Sequence, residues 1–466
     1  MNQSPPSSAQ PPIVPSRQFE PPRRHPLPPP VRIVLGLALL VLIGTLLLML
    51  PISGTRQLSW NEAFFTATSA LTVTGLSTIT AGADLTLFGI IVLLTLIQIG
   101  GVGFMVVAVI ILRLLGRRIS LADRIALSDS LGLLSPQAIV RLTGQVLVTV
   151  LLIEAIAALI LFLHWRTDPR LSDEQALLFA IFHAVSAFCN AGFDLFSGRP
   201  DFPESIPHDP LSLLVIGTLV FLGTLGIPVL GDFVTYRRTR RLSLHTRITL
   251  TTILFLLLIG AVGLWLSEAR NDGALVNEPL GRQLANSLFQ SISARSGGFD
   301  GISNYGDISE AGQLLLIALM FIGGAPASMG GGITTGTFAA LAISLWSYAR
   351  GESKINVAGR TLAVGTIRKA AAVLTISLFV VLLGVWLILM THDAPISIVT
   401  FEVVSAFATC GLTMGLTTEL NLFGQILICL MMFWGRAGAL TVVILIARQQ
   451  SRLELVQYPE EQILIG

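Results

Sequence analysis

Gly75, Gly192, Gly298 and Gly411 stand in four short turns, VTGL, NAGF, SGGF and TCGL, spaced 117, 106 and 113 residues apart. Each turn closes a moderately apolar segment too short to cross a membrane: NEAFFTATSALTVTGLSTIT, QALLFAIFHAVSAFCNAGFDLF, LANSLFQSISARSGGFDGIS and FEVVSAFATCGLTMGLTT. Glycine at a turn permits φ > 0, which a Cβ resists, and lets successive carbonyls be aimed inward. Four turns converging on one axis would stack rings of carbonyl oxygen, which is how a dehydrated monovalent cation is held. A short helix running into each turn would add its C-terminus, about half a negative charge. The chemistry is therefore cation coordination by backbone. A single TVTG is more simply a helix-ending glycine, but four in register, each between two apolar runs, go beyond that reading.

A second unusual stretch is GGAPASMGGGITTGT, residues 323–337, inside an apolar run near 311–346. That run is too long for one straight crossing. Pro326 removes a helix donor, and Gly330, Gly331 and Gly332 weaken helix by about 1 kcal/mol each, so the helix is expected to break mid-membrane. Gly323, Gly324, Ser328, Thr334 and Thr335 would then line a polar cavity, the one place where irregular backbone is tolerated at membrane depth. Close helix packing through small residues is the competing reading. A phosphate-cradling loop lacks its Gly-Lys-Ser/Thr ending. Arg436, in MMFWGRAGALTVV, is the one basic residue placed deep in a span, where it costs about 2.5–3.5 kcal/mol and needs a partner or water. Glu402 is a candidate structural partner. Glu154 is the other deep charge, with structural pairing as open as a transport role. His183 and Glu402 read as packing or capping groups, and the thiols of Cys189 and Cys410 have no deprotonating neighbour.

The elements that position these groups are membrane helices. Of 466 residues, 53% are hydrophobic and only 12% charged, and the mean hydropathy of +0.78 is that of an integral membrane protein. Runs able to cross roughly 30 Å of hydrocarbon lie near 31–51, 85–115, 141–163, 211–235, 247–267, 311–346, 363–390 and 422–447. The predicted fold is all-α, with eight transmembrane helices and four re-entrant pore loops in a pseudo-fourfold repeat of span, pore loop, span. The repeats cover 31–115, 141–235, 247–349 (with the broken helix and loop 323–336) and 363–448. Ser69, Ser186 and Ser405 each precede their glycine by six residues, whereas Ser293 stands one residue closer, so the third copy has lost a residue. Of the 29 Lys and Arg, 21 lie in the termini and in the loops near 113–141, 236–247 and 350–369, which places both termini in the cytoplasm and the glycine turns outside. Residues 1–30 hold eleven of the 23 prolines and read as a disordered cytoplasmic tail. Residues 449–466 form the other cytoplasmic tail. The run from Val31 reads as a span and not as a signal peptide. Three cysteines without CxxC spacing support neither a disulfide framework nor zinc. No His/Asp/Glu cluster at membrane depth supports an enzyme.

These residues carry a resemblance. TVTGL is similar to the TVGYG filter of potassium channels, and the four units with turns VTGL, NAGF, SGGF and TCGL resemble the superfamily of K⁺ transporters comprising Trk, Ktr and HKT proteins. FQSISARSGGF, GGAPASMGGGITTGTF, RRLSLHTR and YPEEQILIG look most like its KtrB branch. The resemblance implies a K⁺ selectivity filter built from the backbone carbonyls of Val73, Thr74 and Gly75, of Asn190, Ala191 and Gly192, of Ser296, Gly297 and Gly298, and of Thr409, Cys410 and Gly411. It implies that the loop with Gly323, Gly324, Ser328, Gly330, Gly331, Gly332, Thr334 and Thr335 acts with Arg436 as a gate. Glycine rather than serine at position 75 leans toward K⁺ over Na⁺, and dependence of uptake on Na⁺ stays open. It further implies a homodimer in the cell membrane, seated among lipid on a cytoplasmic ring of KtrA-like regulatory subunits. ATP, ADP or NAD would be bound by that partner, with no cofactor and no nucleic acid on this chain. A substrate-coupled secondary transporter with broken helices is the alternative, although its repeats are commonly inverted pairs.

Overall fold

The computed structural model describes residues 29–102 and 139–437, apart from 203–204, 271–272, 303–304 and 353. Of the predicted tail 1–30, residues 1–28 lie outside the described residues, while Pro29 and Pro30 open the first helix, where proline needs no donor; the tail 449–466, the end of the first repeat (103–115) and residues 438–448 also lie outside the described residues. Within them the chain is helical. Apart from one-turn pieces, the helices in chain order are α1 (Pro29–Leu48), α2 (Trp60–Thr72), α3 (Leu87–Val102), α4 (Ile139–Trp165), α5 (Asp173–Phe188), α6 (Pro210–Thr224) and α7 (Ile227–Thr239). They continue as α8 (Leu244–Glu268), α9 (Leu280–Ser293), α10 (Glu310–Phe321), α11 (Thr335–Ala349), α12 (Val364–Leu389), α13 (Ile396–Phe407) and α14 (Leu422–Ala437). Two-residue strands at Asn356–Val357 and Arg360–Thr361 form a small hairpin.

Residues Leu147–Trp165 of α4, together with α8 and α12, are long and apolar enough to cross a membrane. Their outward faces stay greasy, with Leu152, Leu258 and Leu382 all exposed. Such surfaces would associate in water and are at rest in hydrocarbon. The short helices behave in the opposite way, α2, α5 and α13 being buried along most of their length and α9 along its C-terminal half. They form the centre around which the others stand.

One packing step recurs four times. The helix that follows each short helix packs against the next short helix: α3 on α5, α6 on α9, α10 on α13 and, closing the circle, α14 on α2. The circle makes the centre a common axis.

Local chemistry starts α2 and α5 cleanly. Ser59 accepts from the Glu62 amide while Glu62 returns a bond to the Ser59 amide, a reciprocal cap that Ser172 and Gln175 repeat on α5. Arg56 donates to both Glu62 carboxylate oxygens, at 2.8 and 3.1 Å, and these bonds hold that carboxyl at about 2, below its usual 4.5. A depressed carboxyl contributes stability above its unfolded value and loses it as pH falls through the folded one. The melting temperature in detergent should therefore decline between pH 4.5 and about 2, and Glu62→Gln should flatten part of that decline. Identical pH profiles for the two proteins would show that the pair contributes nothing. The effect is small because Arg56 is half exposed.

The span predicted over 211–235 is not straight. It breaks between α6 and α7, which meet at 102°. Gly226 sits at φ 81° and Pro228 follows in the first turn of α7, so the chain turns where glycine permits left-handed backbone and restarts where proline needs no donor. The long run 311–346 breaks as its composition predicts, with helix ending at Phe321 and resuming at Thr335.

Candidate functional site: a ring of four backbone turns

Each short helix ends in the same backbone figure. Two residues before the key glycine, φ is positive at Val73 (58°), Asn190 (59°), Ser296 (91°) and Thr409 (47°), and it is positive again at Gly75 (97°), Gly192 (65°), Gly298 (73°) and Gly411 (95°). The residue between them does not share it. Alternation of sign turns successive peptide units the same way, in contrast to a strand, whose carbonyls alternate. Left-handed backbone costs a residue with a side chain about 1–2 kcal/mol, most for a β-branched one. Val73 and Thr409 therefore hold strain that the surrounding bonds must offset.

Those bonds come from the serine one turn upstream. Ser69 O accepts from the Thr74 amide at 2.9 Å and its hydroxyl accepts from the Gly75 amide at 3.0 Å. Ser405 does the same for Cys410 and Gly411, at 2.9 and 3.1 Å. Ser186 O accepts from the Ala191 amide at 2.7 Å. Ser293, one residue nearer its glycine, still serves. Its carbonyl accepts from Gly297 at 2.5 Å and its hydroxyl takes the Phe299 amide at 2.8 Å.

The four turns touch in a closed cycle. A Cβ added at Gly75 would lie 2.5 Å from Ala191 O, and one at Gly192 would lie 2.9 Å from the Cα of Gly298. One at Gly298 would strike Cys410 O, and one at Gly411 would strike Thr74 O. All four positions are therefore glycine for a second reason, the approach of a neighbouring turn. The twelve residues named from the sequence come together here. The four helices that end at them aim their partially negative termini at the same place.

The glycine loop packs against one side of this ring. A Cβ at Gly330 would lie 3.0 Å from the Cβ of Ser296, and one at Gly331 would lie 2.5 Å from the Thr409 hydroxyl. Its backbone is paired with the other broken helix: Ala325 donates to Thr224 O at 3.0 Å, Met329 to Gly223 O at 3.2 Å, and Ile227 to Ala327 O at 3.1 Å. Groups freed at one break satisfy those freed at the other, which is how irregular backbone survives without water. Gly324 O accepts from both the amide and the hydroxyl of Thr335, at 2.9 and 3.0 Å. Thr334 instead caps α11, and Ser328 accepts from the Gly330 amide at 3.2 Å.

Arg436 reaches the loop from α14. Its guanidinium donates to Met329 O at 2.5 Å, to Gly101 O at 3.3 Å and to Gly100 O. The alternative pairing with Glu402 is not formed. Glu402 accepts from the hydroxyls of Thr413, at 2.9 Å, and Thr417, bracing the segment after the fourth turn. Glu154 is buried and bonded to Gln98 Nε2 at 3.2 Å and Cys189 Sγ at 3.8 Å. His183 is a packed group, with Nδ1 donating to Phe179 O at 2.7 Å, Nε2 lying 2.8 Å from Asp194 Oδ1, and the Trp165 ring edge-on at 5.4 Å.

Two features escaped the sequence reading. The Gly226–Pro228 break had a local signal in LGIP that the apolar content around it masked. Arg295, in SARSGGF, is fully buried and donates to Gly323 O at 2.7 Å. Its neighbours in sequence gave no hint of that carbonyl.

The chain is 39% identical over 94% of its length to the Ktr system potassium uptake protein B of Bacillus subtilis, covering 97% of that protein. It is 36% identical over 93% to the protein of the same name from Vibrio alginolyticus, covering 94% of it. These relatives are transport proteins and not enzymes. The crystal structure of the potassium transporter TrkH from Vibrio parahaemolyticus shares the fold at a TM-score of 0.71 and 19% identity, over 91% of this chain and 86% of that one. With the family model for TrkH cation transport proteins matching residues 37–455, and with four like-built turns closing on one axis, the chain belongs to the TrkH family of cation transport proteins.

Proposed function

We propose that the chain is the K⁺-conducting membrane subunit of a Ktr/Trk-type uptake system, built from eight spans and four pore loops in four repeats. K⁺ passes inward, down its electrochemical gradient, through the ring formed by residues 73–75, 190–192, 296–298 and 409–411. The observation that carries this reading is the closed cycle of glycine contacts, in which backbone of each turn abuts backbone of the next. Carbonyl oxygens held at such spacing replace an ion's water without any carboxylate, and K⁺ tolerates that exchange more readily than Na⁺. The loop 323–336 and Arg436 gate the path on the inner side. The subunit sits in the cell membrane with its termini in the cytoplasm, as a homodimer on a nucleotide-binding regulatory ring. Support for potassium comes from the names of the Bacillus and Vibrio relatives, and the Enterococcus hirae relative, a potassium/sodium uptake protein 34% identical to this chain, makes Na⁺ the second ion to test. A cyclic set of four turns disfavours the paired, midplane site of a coupled secondary transporter.

Expression in a bacterium lacking its own K⁺ uptake should restore growth at low K⁺ when a regulatory subunit is co-expressed, and vesicles should take up Rb⁺ in preference to Na⁺. Folded, membrane-inserted protein that gives no rescue in either condition, or that moves Rb⁺ and Na⁺ equally, would remove this function.

A further inference from the structure

Arg295 heads the fully buried large side chains, at 2% exposure. It immediately precedes Ser296, the first residue of the third turn, whose hydroxyl donates to Thr409 O in the fourth turn at 2.9 Å. Its Nη2 donates to Gly323 O, the first carbonyl of the glycine loop, at 2.7 Å, while its Nε has no partner. Among the described residues no carboxylate is paired with it. A buried guanidinium without a counter-charge is expensive, and an apolar side chain of similar volume would fill the space more cheaply. The charge is therefore retained for what it holds, a backbone carbonyl at the root of the loop.

The loop is thus held at two points by two arginines from different repeats. Arg436 takes Met329 O near the tip, and Arg295 takes Gly323 O at the base. Only Arg295 adjoins a ring turn in the chain, so its bond couples a shift of Gly323 to a shift of the third turn. We propose that Arg295 is a positioning residue that fastens the base of the glycine loop to the third turn, so that the loop leaves its place against the ring only when the Arg295–Gly323 bond gives way. The inference rests on the reading of the loop as a gate.

The test is Rb⁺ flux into proteoliposomes holding the full chain, with Arg295→Gln and Arg295→Lys made both in the native chain and in one whose loop is shortened by deleting residues 328–330. Loss of one charge-assisted bond shifts a two-state equilibrium by about tenfold or more. Arg295→Gln should raise basal flux by about that factor, with Arg295→Lys intermediate, no change in the Rb⁺/Na⁺ ratio, and no further gain in the shortened chain. Unchanged flux in Arg295→Gln, beside raised flux on loop shortening, overturns the inference and leaves the gate standing. No effect of shortening overturns the gate reading itself. A changed Rb⁺/Na⁺ ratio at constant flux overturns the inference in another way, by showing that Arg295 serves ring geometry alone. If Arg295→Gln does not fold, the rate at which a water-soluble methanethiosulfonate modifies Ser328→Cys supplies the answer. That rate should rise in Arg295→Lys, and an unaltered rate overturns the proposal.

Discussion

Alanine at Gly192 or Gly298 should reduce Rb⁺ uptake by about tenfold or more and erode discrimination against Na⁺, because each substitution meets two costs at once. Gly192 and Gly298 hold φ of 65° and 73°, where a Cβ costs about 1–2 kcal/mol. The larger cost is steric. The Cβ at Gly192 would lie 2.9 Å from the Cα of Gly298, and that at Gly298 would strike Cys410 O. These obstacles are backbone and cannot rotate away, so the ring must widen or skew. A displacement of a fraction of an ångström suffices to spoil oxygens that must replace an ion's water. Gly281, on the exposed start of α9 with nothing near its missing Cβ, supplies the control, and Gly281→Ala should leave flux unchanged. Unaltered flux and selectivity in both ring variants would mean that ions do not pass between these turns.

Removing the charge of Arg436 should act in the opposite direction. Arg436→Gln loses bonds from a guanidinium to Met329 O, Gly100 O and Gly101 O, and hydrogen bonds to a charged group are worth about 1.5–3 kcal/mol each. If the loop has an open alternative, the loss of even one such bond moves the balance toward it by about tenfold. Basal flux without any regulatory subunit should rise by at least that factor, with a lower melting temperature as the second readout. The backbone bonds to the other broken helix and the Arg295–Gly323 bond remain, but the loop's glycines bring no side chains to unpack. Well-folded Arg436→Gln protein with native flux would return the loop to a packing role, which small residues can also serve.

The sequence itself determined the apolar helices, the four turns and the break near residue 323. Each of these is a local matter. Glycine is required where φ turns positive, proline and repeated glycine end a helix whatever surrounds them, and long apolar runs have few soluble solutions. Even the shortened spacing at Ser293 was legible, because it disturbs a repeat that the other three copies define.

Tertiary structure alone decided the rest. Val73, Ser296 and Thr409 adopt left-handed backbone that their own preferences oppose, and the upstream serines and the neighbouring turns hold them there. Arg436 bonds backbone carbonyls of the loop and α3, and Glu402 bonds threonine hydroxyls. Residues 211–235, continuous in hydropathy, can bend locally at Gly226 and Pro228, but the groups freed there are satisfied only because Ala325, Ala327 and Met329, about a hundred residues later, offer the hydrogen bonds that a broken helix needs. Arg295 found its carbonyl across 28 residues. Local preference is written in neighbouring residues, whereas satisfaction of a buried polar group depends on whichever distant backbone the fold delivers to it.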